Sequence, residues 1–293
     1  MNVRVGAVQI CSTEDVAANL ERACALVQEA SRQGAELVGL PENFAYLGSD
    51  KDHKTSLAET LDDRGGPTTD SAKDGAKGGE TDGPKDGPIL QRMRRLAIDS
   101  GVWLLLGGFP ERVPGQSDRL ANTSVLLDPR GEVRARYRKI HLFDVEVPGG
   151  HRFCESDTVV RGGSPVLAQT PWGPLALSIC YDLRFPELYR QLAAAGARMI
   201  AVPSAFTRET GKDHWHVLLR ARAIENQAYL IAPAQWGFHG GKRASYGHAL
   251  IVDPWGVVLA ECGERDSVAV ATLDFDYQDR VRANLPCLSH RRL

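Results

Sequence analysis

The sequence predicts an α/β protein built on mixed sheets. Short β-rich runs alternate with helical stretches along the 293 residues, the rhythm of strand–helix–strand crossovers. Two pairs of runs are instead joined by tight turns, Asp128-Pro129-Arg130-Gly131 and Asp253-Pro254-Trp255-Gly256, which mark antiparallel hairpins. Crossovers and hairpins together argue against a purely parallel sheet. With 43% hydrophobic and 25% charged residues, the chain can bury a sizeable core in one large domain or two small ones.

The elements follow in order. Val3 to Ile10 reads as a strand. Val16, Leu20, Ala23, Val27 and Ala30 then recur at helical spacing and form one apolar face. Leu37 to Leu40 is the next strand. Asp63 to Asp86 reads DRGGPTTDSAKDGAKGGETDGPKD, with no aromatic residue and no Val, Leu, Ile or Met. Such a composition cannot offset the ordering cost of its backbone. Residues from about 63 to 86 are therefore expected to be a flexible surface insertion without a catalytic residue. Ile89 to Ile98 is helical, Val102 to Leu106 a strand, and Ser124 to Leu127 pairs with Val133 to Tyr137. Leu175, Leu177 and Ile179 alternate with Ala176, Ser178 and Cys180, a buried strand that stops at Asp182. Pro186 suits the first turn of a helix running through Leu188, Leu192 and Ala195. Met199 to Val202 and Tyr229 to Ala232 are strands flanking a helix from about Trp215 to Gln227.

Composition excludes several classes. Net charge is −2 without a concentrated basic patch, so nothing favours nucleic acid or an anionic membrane as partner. No apolar run approaches the ~18 residues of a membrane span, and the charged N-terminus has no signal-peptide core. The six cysteines show no C-x-x-C pair. A zinc site and a disulfide framework are both disfavoured, no cofactor or metal is expected, and a reducing cytoplasm is the natural setting.

Cys180 carries the strongest chemical signal. It lies at the tip of a strand on a sharp turn into a helix, a geometry that exposes a nucleophile beside helix-start N–H groups. A free thiol has a pKa near ~8.5, so attack needs an adjacent base or positive field. None of the eight histidines can be placed beside Cys180 from the sequence, which leaves a carboxylate as the available base. Two further strands end in charge: Val38-Gly39-Leu40-Pro41-Glu42 and Tyr137-Arg138-Lys139-Ile140-His141.

In the order Glu42, Lys139, Cys180, these segments resemble the three signatures of the nitrilase (carbon–nitrogen hydrolase) superfamily. The resemblance covers nearly the whole chain, from Val5-Gly6-Ala7-Val8-Gln9 to His290-Arg291-Arg292. It implies a single domain over residues 1–293, folded as a four-layer α-β-β-α sandwich of two mixed sheets. It further implies hydrolysis of a small-molecule amide through a thioester. Cys180 would be the nucleophile and Glu42 the proton acceptor and donor. Lys139 and the Tyr181 backbone N–H would stabilise the oxyanion, and Glu155 would orient the lysine. Arg184 matches an arginine that grips a substrate carboxylate, and Phe206 and Thr207 match positions lining the same pocket. Segments such as Leu218-Leu219-Arg220-Ala221-Arg222-Ala223-Ile224-Glu225 look most like the branch that cleaves deaminated glutathione to 2-oxoglutarate and Cys-Gly. There His239, Lys242 and Arg243 would meet the glycine carboxylate. Omega-amidase action on 2-oxoglutaramate or 2-oxosuccinamate is the neighbouring activity, and a non-catalytic scaffold of the same fold is the alternative from another class. The resemblance also implies a homodimer through the Trp215–Gln227 helix.

Overall fold

A computed structural model describes residues 1–61, 86–147, 151–240 and 243–292. The insertion expected at about 63–86 lies, but for its last residue, outside the described residues. Strand β1 (Asn2–Ile10) is central to a first sheet. Helix α1 (Val16–Arg32) leads to β2 (Leu37–Gly39); α2 (Lys51–Ser56) and α3 (Pro88–Ser100) precede β3 (Trp103–Arg112), and β1, β2 and β3 run parallel. Strands β4 (Leu120–Leu127) and β5 (Val133–Arg138) extend this sheet antiparallel. The pair β6 (Asp144–Val147) and β7 (His151–Cys154) is a separate hairpin, and β8 (Val159–Val160) adds parallel to β4.

The second sheet holds β9 (Val166–Thr170), β10 (Gly173–Leu177), β11 (Met199–Ala201) and β12 (Tyr229–Ala232). Its parallel strands are joined by α4 (Pro186–Ala194) and α5 (Arg208–Asn226). Strands β13 (Ala234–Phe238) and β14 (Ala244–Tyr246) return to the first sheet, and β15 (Leu250–Val252) and β16 (Val258–Glu261) complete the second. Strand β17 (Ser267–Asp274) runs antiparallel to β1 from Asn2–Asp274 to Gln9–Ser267, ahead of α6 (Phe275–Asn284).

Side-chain alternation creates the layers. Val38, Leu104, Leu106, Val125 and Leu127 pack on one face of the first sheet with Leu20, Ala23 and Val27 of α1 and Leu90 and Met93 of α3. Their neighbours Leu37, Leu105, Leu126, Ala135 and Tyr137 point the other way, into a core shared with Ala176, Ile200 and Ile231 of the second sheet. That core also takes in Leu188 and Leu192 of α4 and Trp215 and Leu219 of α5. A period of two is what lets each strand serve two layers. The order is helix, sheet, sheet, helix.

Helix ends follow their local chemistry. The Asp15 side chain accepts from the Ala18 N–H at the start of α1, Pro88 and Pro186 open α3 and α4, and Gly101 ends α3 at φ 63°. Several boundaries differ from the sequence reading, β4 for one starting at Leu120 rather than Ser124. The strand before the nucleophile ends at Leu177, and Cys180–Arg184 forms a 3₁₀ turn between strand and helix. Helix α5 begins at Arg208 rather than Trp215, because its polar first turns carry no apolar period. Strand β3 continues to Arg112 through Gly107-Gly108, where its register against β4 shifts. Among the described residues, no helix is long and apolar enough to cross a membrane.

Gly107 lets two chain segments approach: a Cβ there would collide with the Leu40 carbonyl and the Pro203 ring. Gly107→Ala is expected to cost about 2–4 kcal/mol, since backbone must move, whereas Gly263→Ala, facing open space, should stay within about 0.5 kcal/mol. Urea unfolding of the two variants measures both.

Candidate active site

Three chain segments meet at one end of the sheets. Glu42 follows β2 and is turned inward by Asn43, which sits in the left-handed region at φ 58°. Lys139 follows β5 and is tied to β4 by its own N–H, which donates to the Asn122 carbonyl at 2.9 Å. Cys180 opens the 3₁₀ turn at φ 47°, and its N–H donates to the Pro203 carbonyl at 3.0 Å. A left-handed backbone is costly for a residue with a Cβ, so the surroundings must hold it. Asp182, fully buried, supplies the hold. Its Oδ2 accepts from the Tyr137 hydroxyl at 2.7 Å and the Ile179 N–H at 2.8 Å. Its Oδ1 accepts from the His141 N–H at 3.1 Å and lies 2.7 Å from His141 Nδ1. One carboxylate thus staples the cysteine turn to both sides of Lys139.

The lysine ammonium is 1% exposed and lies between two carboxylates. Its Nζ donates to Glu42 Oε1 and to Glu155 Oε2, both at 2.8 Å. Asn122 bridges the same pair, its Nδ2 donating to Glu42 Oε1 at 2.8 Å and Glu155 Oε1 at 3.1 Å. Glu42 Oε2 accepts from the Ala205 N–H at 3.0 Å, and Glu155 Oε2 from the Phe143 N–H at 2.8 Å. The Cys180 thiol is buried and lines the same cavity as the Glu42 carboxylate. Asn122 was not singled out from the sequence. The available signal was Leu120-Ala121-Asn122-Thr123-Ser124, polar residues within a strand that is buried throughout.

Electrostatics assign the resting protons. Burial opposes the charge on Lys139, but Glu155 and Glu42 outweigh it and hold its pKa well above the ordinary value. Burial also pushes Glu42 up, and the charge and hydrogen bond of Lys139, with Asn122, outweigh that and hold it low. The Cys180 thiol is pushed far up, by burial first and by the Glu42 charge second. The resting pair is therefore thiol and carboxylate. Sulfur becomes nucleophilic only as its proton moves to Glu42. The first N–H bonded within the 3₁₀ turn is that of Asp182, to the Ile179 carbonyl at 3.0 Å. The Tyr181 N–H precedes it and belongs to the unfilled donors of a helix start.

These groups form the floor of a cavity of about 750 Å³. Glu42, Lys139, Glu155, Cys180, Tyr181, Arg184, Phe206, Thr207, His239 and Arg243 all line it. Lys242 lies outside the described residues. The Arg184 guanidinium stands 4.9 Å from the centroid of the Phe206 ring, with a nitrogen 3.3 Å from His214 Nδ1. Thr207 precedes α5, its hydroxyl 2.8 Å from that of Thr210.

His239 differs from the expectation that it meets a substrate carboxylate. Its Nδ1 is 2.8 Å from the Ser12 carbonyl and its Nε2 is 2.8 Å from the Ser245 hydroxyl. Burial lowers its pKa from 6.5 to about 4, so the ring is neutral at pH 7, donating from Nδ1 and accepting at Nε2. It braces the pocket wall and supplies no charge. A depressed folded-state pKa adds stability that is complete above about pH 6.5 and is lost as the pH falls towards 4. The wild type should lose about 3 kcal/mol over that interval through this group. His239→Asn, less stable at pH 7, should show a shallower decline in denaturant titrations at stepped pH.

Comparison with known proteins fits this geometry. The profile of the carbon-nitrogen hydrolase family matches residues 4–283. A Synechocystis protein named deaminated glutathione amidase is 46% identical over 287 residues, 97% of this chain and 96% of its own. The Homo sapiens protein of that name is 43% identical over 293 residues, 98% of this chain and 82% of its own. The crystal structure of the Caenorhabditis elegans NitFhit protein superposes with a TM-score of 0.86 at 39% identity, over 99% of this chain and 65% of that one. Saccharomyces cerevisiae Nit3, described as a member of branch 10 of the nitrilase superfamily, gives 0.82 at 30% identity, over 100% and 97%. With sequence match, fold and neighbours in agreement, this chain belongs to the carbon–nitrogen hydrolase family.

Proposed function

We propose that the protein is an amidase that hydrolyses deaminated glutathione to 2-oxoglutarate and Cys-Gly. One observation carries the reading: a lysine and two glutamates are hydrogen-bonded together and share with a buried thiol a cavity whose Arg184 and Arg243 have no carboxylate partner among the described residues. Names of relatives 40–46% identical to the chain support the choice of substrate.

In this mechanism the Cys180 sulfur attacks the amide carbon while its proton passes to Glu42. The carbonyl oxygen becomes an oxyanion, met by Lys139 Nζ and the Tyr181 N–H. Glu42 delivers the proton to the nitrogen, the C–N bond breaks and the amine leaves. Glu42 then takes a proton from water, which attacks the thioester, and the sulfur leaves with that proton to restore the thiol. Glu155 and Asn122 hold Lys139 and Glu42 in place throughout. Arg184, on its Phe206 platform, binds the carboxylate of the 2-oxo acid. All six cysteines are free, which accords with a reducing compartment such as the cytoplasm. We assign the chain to one domain.

We further infer a homodimer through α5. Its Val217 and Ile224 are 66% and 46% exposed, and Trp255, Val257 and Leu259 are exposed nearby, with Ile224 over Gly256. Such a patch suits an isologous interface.

Two experiments test these readings. Cys180→Ala should abolish turnover without unfolding the protein, and Lys139→Met should cut kcat by roughly a hundredfold or more, the usual loss for one oxyanion donor. Arg184→Lys should raise KM more than it lowers kcat, because a point charge replaces a two-pronged donor. An active Cys180→Ala protein would refute the mechanism. Light scattering should give at least twice the chain mass of 31.9 kDa, and a monomer at micromolar concentration would count against the dimer.

A further inference from the structure

Two of the cations that line the pocket have a carboxylate partner. Lys51 pairs with Asp157 at 2.8 Å, and Lys139 with Glu42 and Glu155. Lys54 is different. It lies on α2, partly buried, lines the cavity, and has no ion-pair or hydrogen-bond partner among the described residues. The helix that carries it is fixed at its start, where the Asp50 side chain accepts from the His53 N–H at 2.9 Å. Tyr46 meets the His53 ring edge-on at 5.0 Å. Burial lowers the Lys54 pKa, Glu155 counters this, and the charge of Arg243 lowers it again. Lys54 and Arg243 line the same cavity and carry like charge. The Arg243 guanidinium rests 5.9 Å from the Phe153 ring centroid and likewise has no carboxylate partner among the described residues.

Two cations that line one cavity, neither with a carboxylate partner among the described residues, disfavour the empty site and favour one holding an anion. The covalent chemistry does not need them, since Glu42, Lys139 and Cys180 already supply base, oxyanion donor and nucleophile. Arg184 stands elsewhere, on Phe206 of the turn before α5, and takes the carboxylate of the acyl part. A cavity of about 750 Å³ is large enough for a tripeptide-sized ligand with an acid group on each side of its scissile amide.

We propose that Lys54 and Arg243 together form a subsite for a carboxylate carried by the leaving amine, and that Lys54 selects acyl-peptide amides over primary amides. The proposal rests on the deaminated glutathione reading only for the identity of the amine, Cys-Gly. A substrate that releases ammonia leaves both cations unneutralised, and a site built to bind a group discriminates against analogues that lack it.

The test compares kcat/KM on 2-oxoglutaryl-Cys-Gly with kcat/KM on 2-oxoglutaramate for the wild type, Lys54→Met and Lys54→Arg. Lys54→Met should lower the ratio of the two about tenfold or more, through KM for the longer substrate, as expected for a lost charge-assisted hydrogen bond. Lys54→Arg should retain most of the ratio. An unchanged ratio in Lys54→Met overturns the subsite, as does an equal fall in kcat on both substrates, which would place Lys54 in the field of the triad instead. A separate readout covers failure of the substrate reading. If the wild type prefers 2-oxoglutaramate, Cys-Gly should still inhibit that reaction more strongly than Cys-Gly amide, and Lys54→Met should erase the difference. Equal inhibition of the wild type by the two peptides overturns the proposal.

Discussion

Everything in the site depends on keeping one ammonium group charged where water cannot reach it. Lys139 is 1% exposed, and an isolated cation at that depth would give up its proton. Two carboxylates prevent this, and each is held by further donors: Asn122 to both, Ala205 to Glu42, and Phe143 to Glu155. Removing one member of such a set leaves the others uncompensated, which is costlier than removing an exposed ion pair. Lys139 is therefore a fixed positive pole that need not reorganise when charge develops on a substrate oxygen. The same set has one more negative than positive charge, which suits a pocket whose outer walls carry arginine and lysine.

Cys180 is held by geometry more than by charge. Cys180 occupies a backbone region that residues with a side chain avoid, and Asp182 fixes it there while binding the residues on either side of Lys139. Sulfur and ammonium are thus positioned by one buried carboxylate, so the distance between them is set by short bonds within the turn. High thiol pKa and low glutamate pKa keep the proton on sulfur at rest. A buried thiol that keeps its proton is less open to adventitious alkylation and oxidation than a thiolate.

Much of this was legible in the chain. The hydrophobic alternation before Cys180, and the charged ends of the strands before Glu42 and Lys139, are local patterns, and local patterns survive into the fold. Asn122 was not legible, because its role comes from β4 lying between two loops far away in sequence. Lys54 looked like one more polar residue after the Glu42 loop. His239, placed against a substrate carboxylate by the resemblance alone, has both ring nitrogens taken up by Ser12 and Ser245, contacts between segments far apart in sequence, and burial favours its neutral form. The 3₁₀ turn at Cys180 and the early start of α5 escaped because neither has an apolar period.

The pairing of β17 with β1 has a consequence for how the chain acquires its structure. The strand that completes one edge of β1 lies at the far end of the sequence, and the Phe275 N–H even donates to the carbonyl of Met1. During synthesis β1 emerges before β17 and must wait, with a row of hydrogen-bonding groups uncovered, until the long stretch from Ile10 to Ser267 has left the ribosome. Contacts of such long sequence separation form slowly, and an open strand edge is where growing chains stick to one another. The molecule is exposed to misassembly over all of that interval, and the step that ends this exposure is the closing of β17 on β1.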